Sequence, residues 1–163
     1  MNSFNHYCLQ LLLAIIFCQT SFAQFNKIQK LTTKDGLSQG MIFDILKDKD
    51  GFLWFATKNG LNRYDGYDFK VFTNNPFDTT SISGDEINKL FEDSKGRLWV
   101  GTLNSGLNLF DKKTETFHRV LPTHLTEKYN LDKLTVYELF ENSKGRIWFT
   151  NREQVFRLEV IEN

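Results

Sequence analysis

Apolar and polar positions alternate along this chain in short runs, and the runs come in sets. Residues 41–47 (MIFDILK), 52–57 (FLWFAT), 61–64 (LNRY) and 67–72 (YDFKVF) form the first set, separated by Asp-Gly, Asn-Gly and Asp-Gly steps. Alternation at period two over so few residues, punctuated in that way, predicts β-strands joined by tight turns. A second set follows at 87–92, 97–102, 107–110 and 116–120, and a third, of three runs, at 135–141, 146–150 and 155–160. Residues 132–141 could also be spaced as a short amphipathic helix, but they align with the first strand of the other sets and are predicted as strand. The connectors 73–86 and 121–134 are polar, hold Pro76 and Pro122, and are predicted as loops.

The sets share a phrase. It reads DKDGFLWFATKNGLNRYD from Asp48, DSKGRLWVGTLNSGLNLFD from Asp93 and NSKGRIWFTNREQVFRLE from Asn142. The chain has three tryptophans, Trp54, Trp99 and Trp148, and each follows a glycine by three residues: Gly51, Gly96 and Gly145. The tryptophans are 45 and 49 residues apart. Four short strands at such a period predict propeller blades. The expected fold is all-β: a partial, open β-propeller of about three four-stranded antiparallel blades. Blade 1 is expected over 41–86, blade 2 over 87–134 and an incomplete blade 3 over 135–163. Residues 24–40 are expected to be a lead-in with an orphan outer blade strand at 25–31 (FNKIQKL). Three blades do not close a ring, so the two outer blades should each keep a bare apolar face.

The phrase resembles the two-component regulator propeller repeat, D-x-x-G-x-x-W-x-G-T-x-x-G-L-x-x-x-D. Asp48, Gly51, Trp54, Thr57, Gly60, Leu61 and Asp65 match it in the first repeat; Asp93, Gly96, Trp99, Gly101, Thr102, Gly106, Leu107 and Asp111 match in the second, with one extra residue before Gly106. The third keeps Gly145, Trp148 and Thr150 but has Gln154 where the glycine belongs. The resemblance implies the periplasmic sensor region of a Bacteroidetes hybrid two-component histidine kinase, in which two seven-bladed propellers typically respond to oligosaccharides. On that resemblance the chain is expected to be a truncated, non-catalytic part of an exported ligand-sensing domain. Its expected partners are the missing remainder of the propeller or a second copy of itself, with oligosaccharide as ligand in the full-length context. Two alternatives stay open: a free-standing secreted binding or assembly module, and a fragment of a propeller carbohydrate-active enzyme.

Composition narrows the setting. Residues 9–17 (LQLLLAIIF) are too short to span a bilayer, and Ser21-Phe22-Ala23 has small residues where a signal peptidase needs them. Residues 1–23 are therefore expected to be a signal peptide cut after Ala23, which places the mature chain in the periplasm or outside the cell, with no membrane span. Cys18 invites a lipid anchor, but the bulky Phe17 before it argues against one. Both cysteines, Cys8 and Cys18, fall in this segment, so the mature chain would have neither disulfide nor thiolate chemistry. Lys+Arg and Asp+Glu are 20 each, which gives nucleic-acid binding no electrostatic support.

Candidate chemistry is sparse. The tryptophans could stack on sugars, yet a ring at one fixed place in every repeat points to packing between blades, because ligand sites in repeat proteins fall on variable loops. Asp48-Lys49-Asp50-Gly51 resembles part of a calcium loop but lacks the flanking acidic ligands, and reads as a turn. His118 and His124 meet no metal-ligand spacing. The acidic pairs Asp85-Glu86 and Glu92-Asp93 sit at turns and strand ends, and there is no glycine-rich nucleotide loop. No catalytic residue, metal site or cofactor is expected, and no ligand-binding residue is assigned.

Overall fold

Turn chemistry closes the alternating runs into meanders. The computed structural model describes residues 28–120 and 134–158. Residues 1–30 form a unit separate from 31–163, and residues 28–30 of it hold no strand. The first sheet runs β1 (Ile42–Lys47), β2 (Leu53–Thr57), β3 (Gly60–Tyr64), β4 (Phe69–Phe72), each strand antiparallel to the next. The second repeats it with β5 (Ile87–Glu92), β6 (Leu98–Thr102), β7 (Leu107–Asp111) and β8 (Thr116–Arg119); the third has β9 (Glu138–Glu141), β10 (Ile147–Thr150) and β11 (Val155–Leu158). None of the sheets closes on itself, and the architecture is a set of propeller-type blades.

Register is repeated as well as order. Trp54 sits opposite Leu46 and Arg63, Trp99 opposite Phe91 and Leu109, and Trp148 opposite Phe140 and Arg157. A bulge falls at the same place in β1 and β5, between Ile42 and Asp44 and between Ile87 and Lys89. Because side chains alternate across a strand, each blade offers one face to its predecessor and the other to its successor. Trp54, Leu61 and Phe72 of blade 1 pack on Leu90, Leu98, Val100 and Phe110 of blade 2, with Ile82 of the connector between them. Trp99 and Leu107 of blade 2 pack in the same way with Val136, Leu139, Ile147 and Phe149.

Two sequence expectations are corrected. The outer strand expected over 25–31 is not formed at 28–31, and 25–27 lie outside the described residues. An outer strand needs a third strand to pair with, and none precedes it among the described residues. Instead Thr32 and Asp35 form a reciprocal cap on a single 3-10 turn, Thr33–Asp35, and Leu37 packs with Phe55 and Tyr64. The lead-in thereby does what an inter-blade connector does: Ser38 N donates to Asn62 Oδ1 (2.8 Å), as Ser83 N does to Asn108 Oδ1 (3.0 Å). The second correction is that β9 begins at Glu138 rather than at 135. The preceding residues are held by blade 2, through Gly106 N on Leu134 O (2.9 Å) and Val136 N on Thr102 O (3.0 Å).

Candidate functional site

The signature residues build a clasp. Asp48 Oδ1 accepts from Phe52 N (2.9 Å), and its Oδ2 accepts from the buried indole Trp54 Nε1 (2.8 Å). Asp93 repeats this with Arg97 N (2.9 Å) and Trp99 Nε1 (2.9 Å), and adds Arg97 Nε on Oδ2 (2.6 Å). Burial pushes the Asp93 carboxyl up, but the indole, amide and guanidinium donors outweigh it and hold the group below its ordinary value. Gly51, Gly96 and Gly145 each close the turn by donating N–H to the carbonyl of Asp48, Asp93 or Asn142. Thr57 Oγ1 donates to Gly60 O and Thr102 Oγ1 to Gly106 O, both at 2.8 Å. Gly60 has φ +102°, and a Cβ there would stand 2.7 Å from Phe72 O, so this bend admits no side chain. Leu61 and Leu107 lie in the two blade interfaces.

The central groups of the clasp are taken up within the blades. Trp54 and Trp99 are each 1% exposed, and both carboxylate oxygens of Asp48 already take N–H donors. His118 lies on β8 beside Arg97 and Lys112, whose charges are engaged by Asp93 and by Asp50 and Glu92. His124 lies outside the described residues.

What does open to solvent is a cleft of about 460 Å³ between blades 2 and 3. Its walls are the β6–β7 loop (Leu103, Asn104), the strap leading into β9 (Leu134, Thr135, Tyr137) and the β10–β11 loop (Asn151, Arg152, Glu153). The strap is fixed on both sides. Thr135 Oγ1 donates to Leu103 O, and Tyr137 N donates to Thr150 O (2.9 Å). The third wall is an Asx turn, in which Asn151 Oδ1 accepts from Glu153 N (2.9 Å) and Gln154 N (2.6 Å). Arg152 lies with its guanidinium carbon 5.5 Å from the Tyr137 ring centre. The cleft thus presents an aromatic ring, two carboxamides and both signs of charge.

No cleft residue belongs to the repeat signature. The signal that could have found them is loop divergence. Where the first repeat has Lys58-Asn59 before its glycine, the second has Leu103-Asn104-Ser105, one residue longer, and the third has Arg152-Glu153 before Gln154, with Asn151 in the place of Thr57 and Thr102.

Comparison with known proteins fits this architecture. The family model described as two component regulator propeller matches residues 36–59 and 81–104. Over 55 residues, 34% of this chain, the sequence is 53% identical to histidine kinase P4 of Formosa agariphila, of which it covers 4%. Among solved structures it is similar to the extracellular domain of a putative hybrid two component system from B. thetaiotaomicron. There the TM-score is 0.67 and the identity 27%, over 81% of this chain and 19% of that one. The extracellular domain of a putative one component system from B. thetaiotaomicron shares the fold, with TM-score 0.62 and 22% identity over 83% of this chain and 19% of that one. The chain therefore spans a small part of the relatives it matches.

Proposed function

Taking the chain as one built of two-component regulator propeller repeats, we propose that it is a non-catalytic sensing module of an extracytoplasmic two-component signalling protein. We further assign the cleft between blades 2 and 3 to an oligosaccharide. The observation that carries the ligand is the composition of that cleft. Tyr137 offers a ring to the apolar face of a sugar, and Asn104, Asn151, Arg152 and Glu153 offer donors and acceptors to hydroxyls. These groups stand on loops that differ between repeats, where binding is free to vary without disturbing the clasp.

Isothermal titration of the full chain against a panel of neutral and acidic oligosaccharides tests this reading. At least one should bind, and Tyr137→Ala should weaken it about tenfold or more, which corresponds to roughly 1.4 kcal/mol. Absence of binding across the panel, or affinity unchanged in both Tyr137→Ala and Arg152→Ala, would remove the ligand from this cleft. The extracytoplasmic setting is supported by the solved relatives, which are extracellular domains; among the described residues no helix is long and apolar enough to cross a membrane. Export by cleavage after Ala23 has its own test. The mature protein should begin at Gln24, and recovery of exported protein starting at Met1 would contradict it.

A further inference from the structure

The cleft between blades 2 and 3 differs from its counterpart one repeat earlier in where charge stands. Between blades 1 and 2, Lys58 of the β2–β3 loop reaches Glu86 of the segment leading into β5 (4.0 Å), so an ion pair crosses the opening. The repeat puts Leu103 and Thr135 at those two positions, since Gly106 N bonds to Leu134 O as Gly60 N bonds to Asp85 O, and Thr102 holds Gly106 as Thr57 holds Gly60. The charged side chains that line this cleft are Arg152 and Glu153, both on the β10–β11 turn.

Arg152 is held in place there. Asn151 N donates to Gln154 O (3.1 Å), which closes the turn that carries it. Tyr137 is tied to the start of the same turn through Thr150 O (2.9 Å), and the guanidinium carbon of Arg152 lies 5.5 Å from the Tyr137 ring centre. An arginine laid on a ring face keeps its N–H edge for a further partner. Two other arginines of this chain lie over rings, Arg63 over Phe52 and Arg97 over Trp99. Each gives its edge to a carboxylate, Glu115 at 2.9 Å and Asp93 at 2.6 Å. Arg152 repeats the ring contact and has no carboxylate partner among the described residues.

Building on the assignment of this cleft to an oligosaccharide, we infer that the ligand supplies the missing partner: the sugar carries an oxyanion, a uronate carboxylate or a sulfate ester, and the Arg152 guanidinium binds it. The planar fork of N–H donors matches two oxygens of either group. Glu153, next along the turn, sets the opposite sign in the same cleft and limits how much negative charge a ligand can bring.

The test is titration of the full chain with matched pairs: trigalacturonate against its methyl ester, and a galactose trisaccharide with and without sulfate. An acidic member should bind about tenfold or more tightly than its neutral counterpart, and the pair that shows this margin tells uronate from sulfate. The margin should shrink at about 0.5 M salt, where charge attraction is screened. Arg152→Gln should bring the acidic-to-neutral ratio to about one, and Arg152→Lys, which keeps the charge without the fork, should recover part of it. Glu153→Gln should widen the ratio, a change of sign that damage to the fold does not produce. Equal affinity for acidic and neutral members, both weakened by Tyr137→Ala, would overturn the charge assignment and leave the oligosaccharide in the cleft. A margin that Arg152→Gln leaves unchanged would also overturn it. No binding by any member of either pair would overturn both readings.

Discussion

The second and third repeats are built on one plan and differ at its keystone. In the second, Asp93 gives one oxygen to the turn amides and the other to Trp99 Nε1 and Arg97 Nε. In the third, Asn142 keeps the first role, with Oδ1 accepting from Lys144 N and Arg146 N, both at 3.0 Å. Its second group is an amide NH2, which can donate but not accept, and Trp148 Nε1 is buried without a hydrogen-bond partner among the described residues. The turn therefore needs only one oxygen, while tying the tryptophan down needs the carboxylate. Next along the phrase, Gly106-Leu107 becomes Gln154-Val155, and Val155 is exposed where Leu107 is buried. The signature is thus two separable devices, a turn and a blade clasp, and the third repeat retains only the turn.

The sharpest way to break this comparison is to delete the rings. Trp99→Ala removes a fully buried aromatic and should cost about 3–5 kcal/mol in chemical denaturation, the usual range for such a core truncation. Trp148→Ala removes a half-buried, unclasped ring and should cost only about 1 kcal/mol, as partly exposed sites do. Equal costs would show that the clasp has no bearing on stability.

A smaller effect isolates the carboxylate. Asp93→Asn keeps the turn acceptor but strands Trp99 Nε1, and should cost roughly 2 kcal/mol, in the range for a hydrogen bond to a charged group. Because the folded Asp93 titrates below the ordinary value of 3.8, its contribution is complete above that pH and is lost as pH falls through the folded value. The native chain should therefore lose stability as pH falls below about 5 more steeply than Asp93→Asn, since the unfolded chain's Asp93 takes up a proton near its ordinary value while the folded carboxylate, held lower, stays ionised, and the variant has no such group. Parallel pH profiles would mean that the carboxylate is not held down by its donors.

How much of this was legible in the sequence follows from the same division. Strand runs, their grouping into blades and the place of the tryptophans could be read directly, because period-two alternation and Asp-Gly or Asn-Gly turns are local. The lead-in was not. Residues 25–31 look like an outer strand, but pairing depends on a neighbouring strand that local pattern does not encode. The start of β9 was misplaced for a related reason: Leu134 and Val136 bond back to Gly106 and Thr102, a contact more than twenty residues away. The cleft was illegible because Tyr137 and Arg152 belong to no motif, and only the second and third repeats, placed side by side, set them across from Leu103 and Asn104. The ion-pair row across the innermost strands was not legible either. Asp44, Lys89 and Glu138 occupy one repeat position and pair only because successive blades bring their innermost strands side by side.

The finest test restores what the third repeat lost. Asn142→Asp replaces the amide with a second oxygen at the repeat position of Asp93, to accept from Trp148 Nε1 as Asp93 does from Trp99, with Arg146 as the counterpart of Arg97. The gain should be about 1 kcal/mol at neutral pH, at the low end for a charge-assisted bond because the site is more exposed than its model. The sign can be checked against acid. A carboxylate held by donors titrates below its unfolded value, so its stabilisation is present above that value and disappears once the group is protonated. Native and Asn142→Asp chains should therefore differ at pH 7 and converge near pH 2 to 3, below the ordinary carboxylate range. Combining Asn142→Asp with Trp148→Phe, which has no N–H to offer, should erase the gain at neutral pH. If it survives in the double variant, the added charge acts on Arg146 or the turn amides alone, and the indole clasp is not what separates the second repeat from the third.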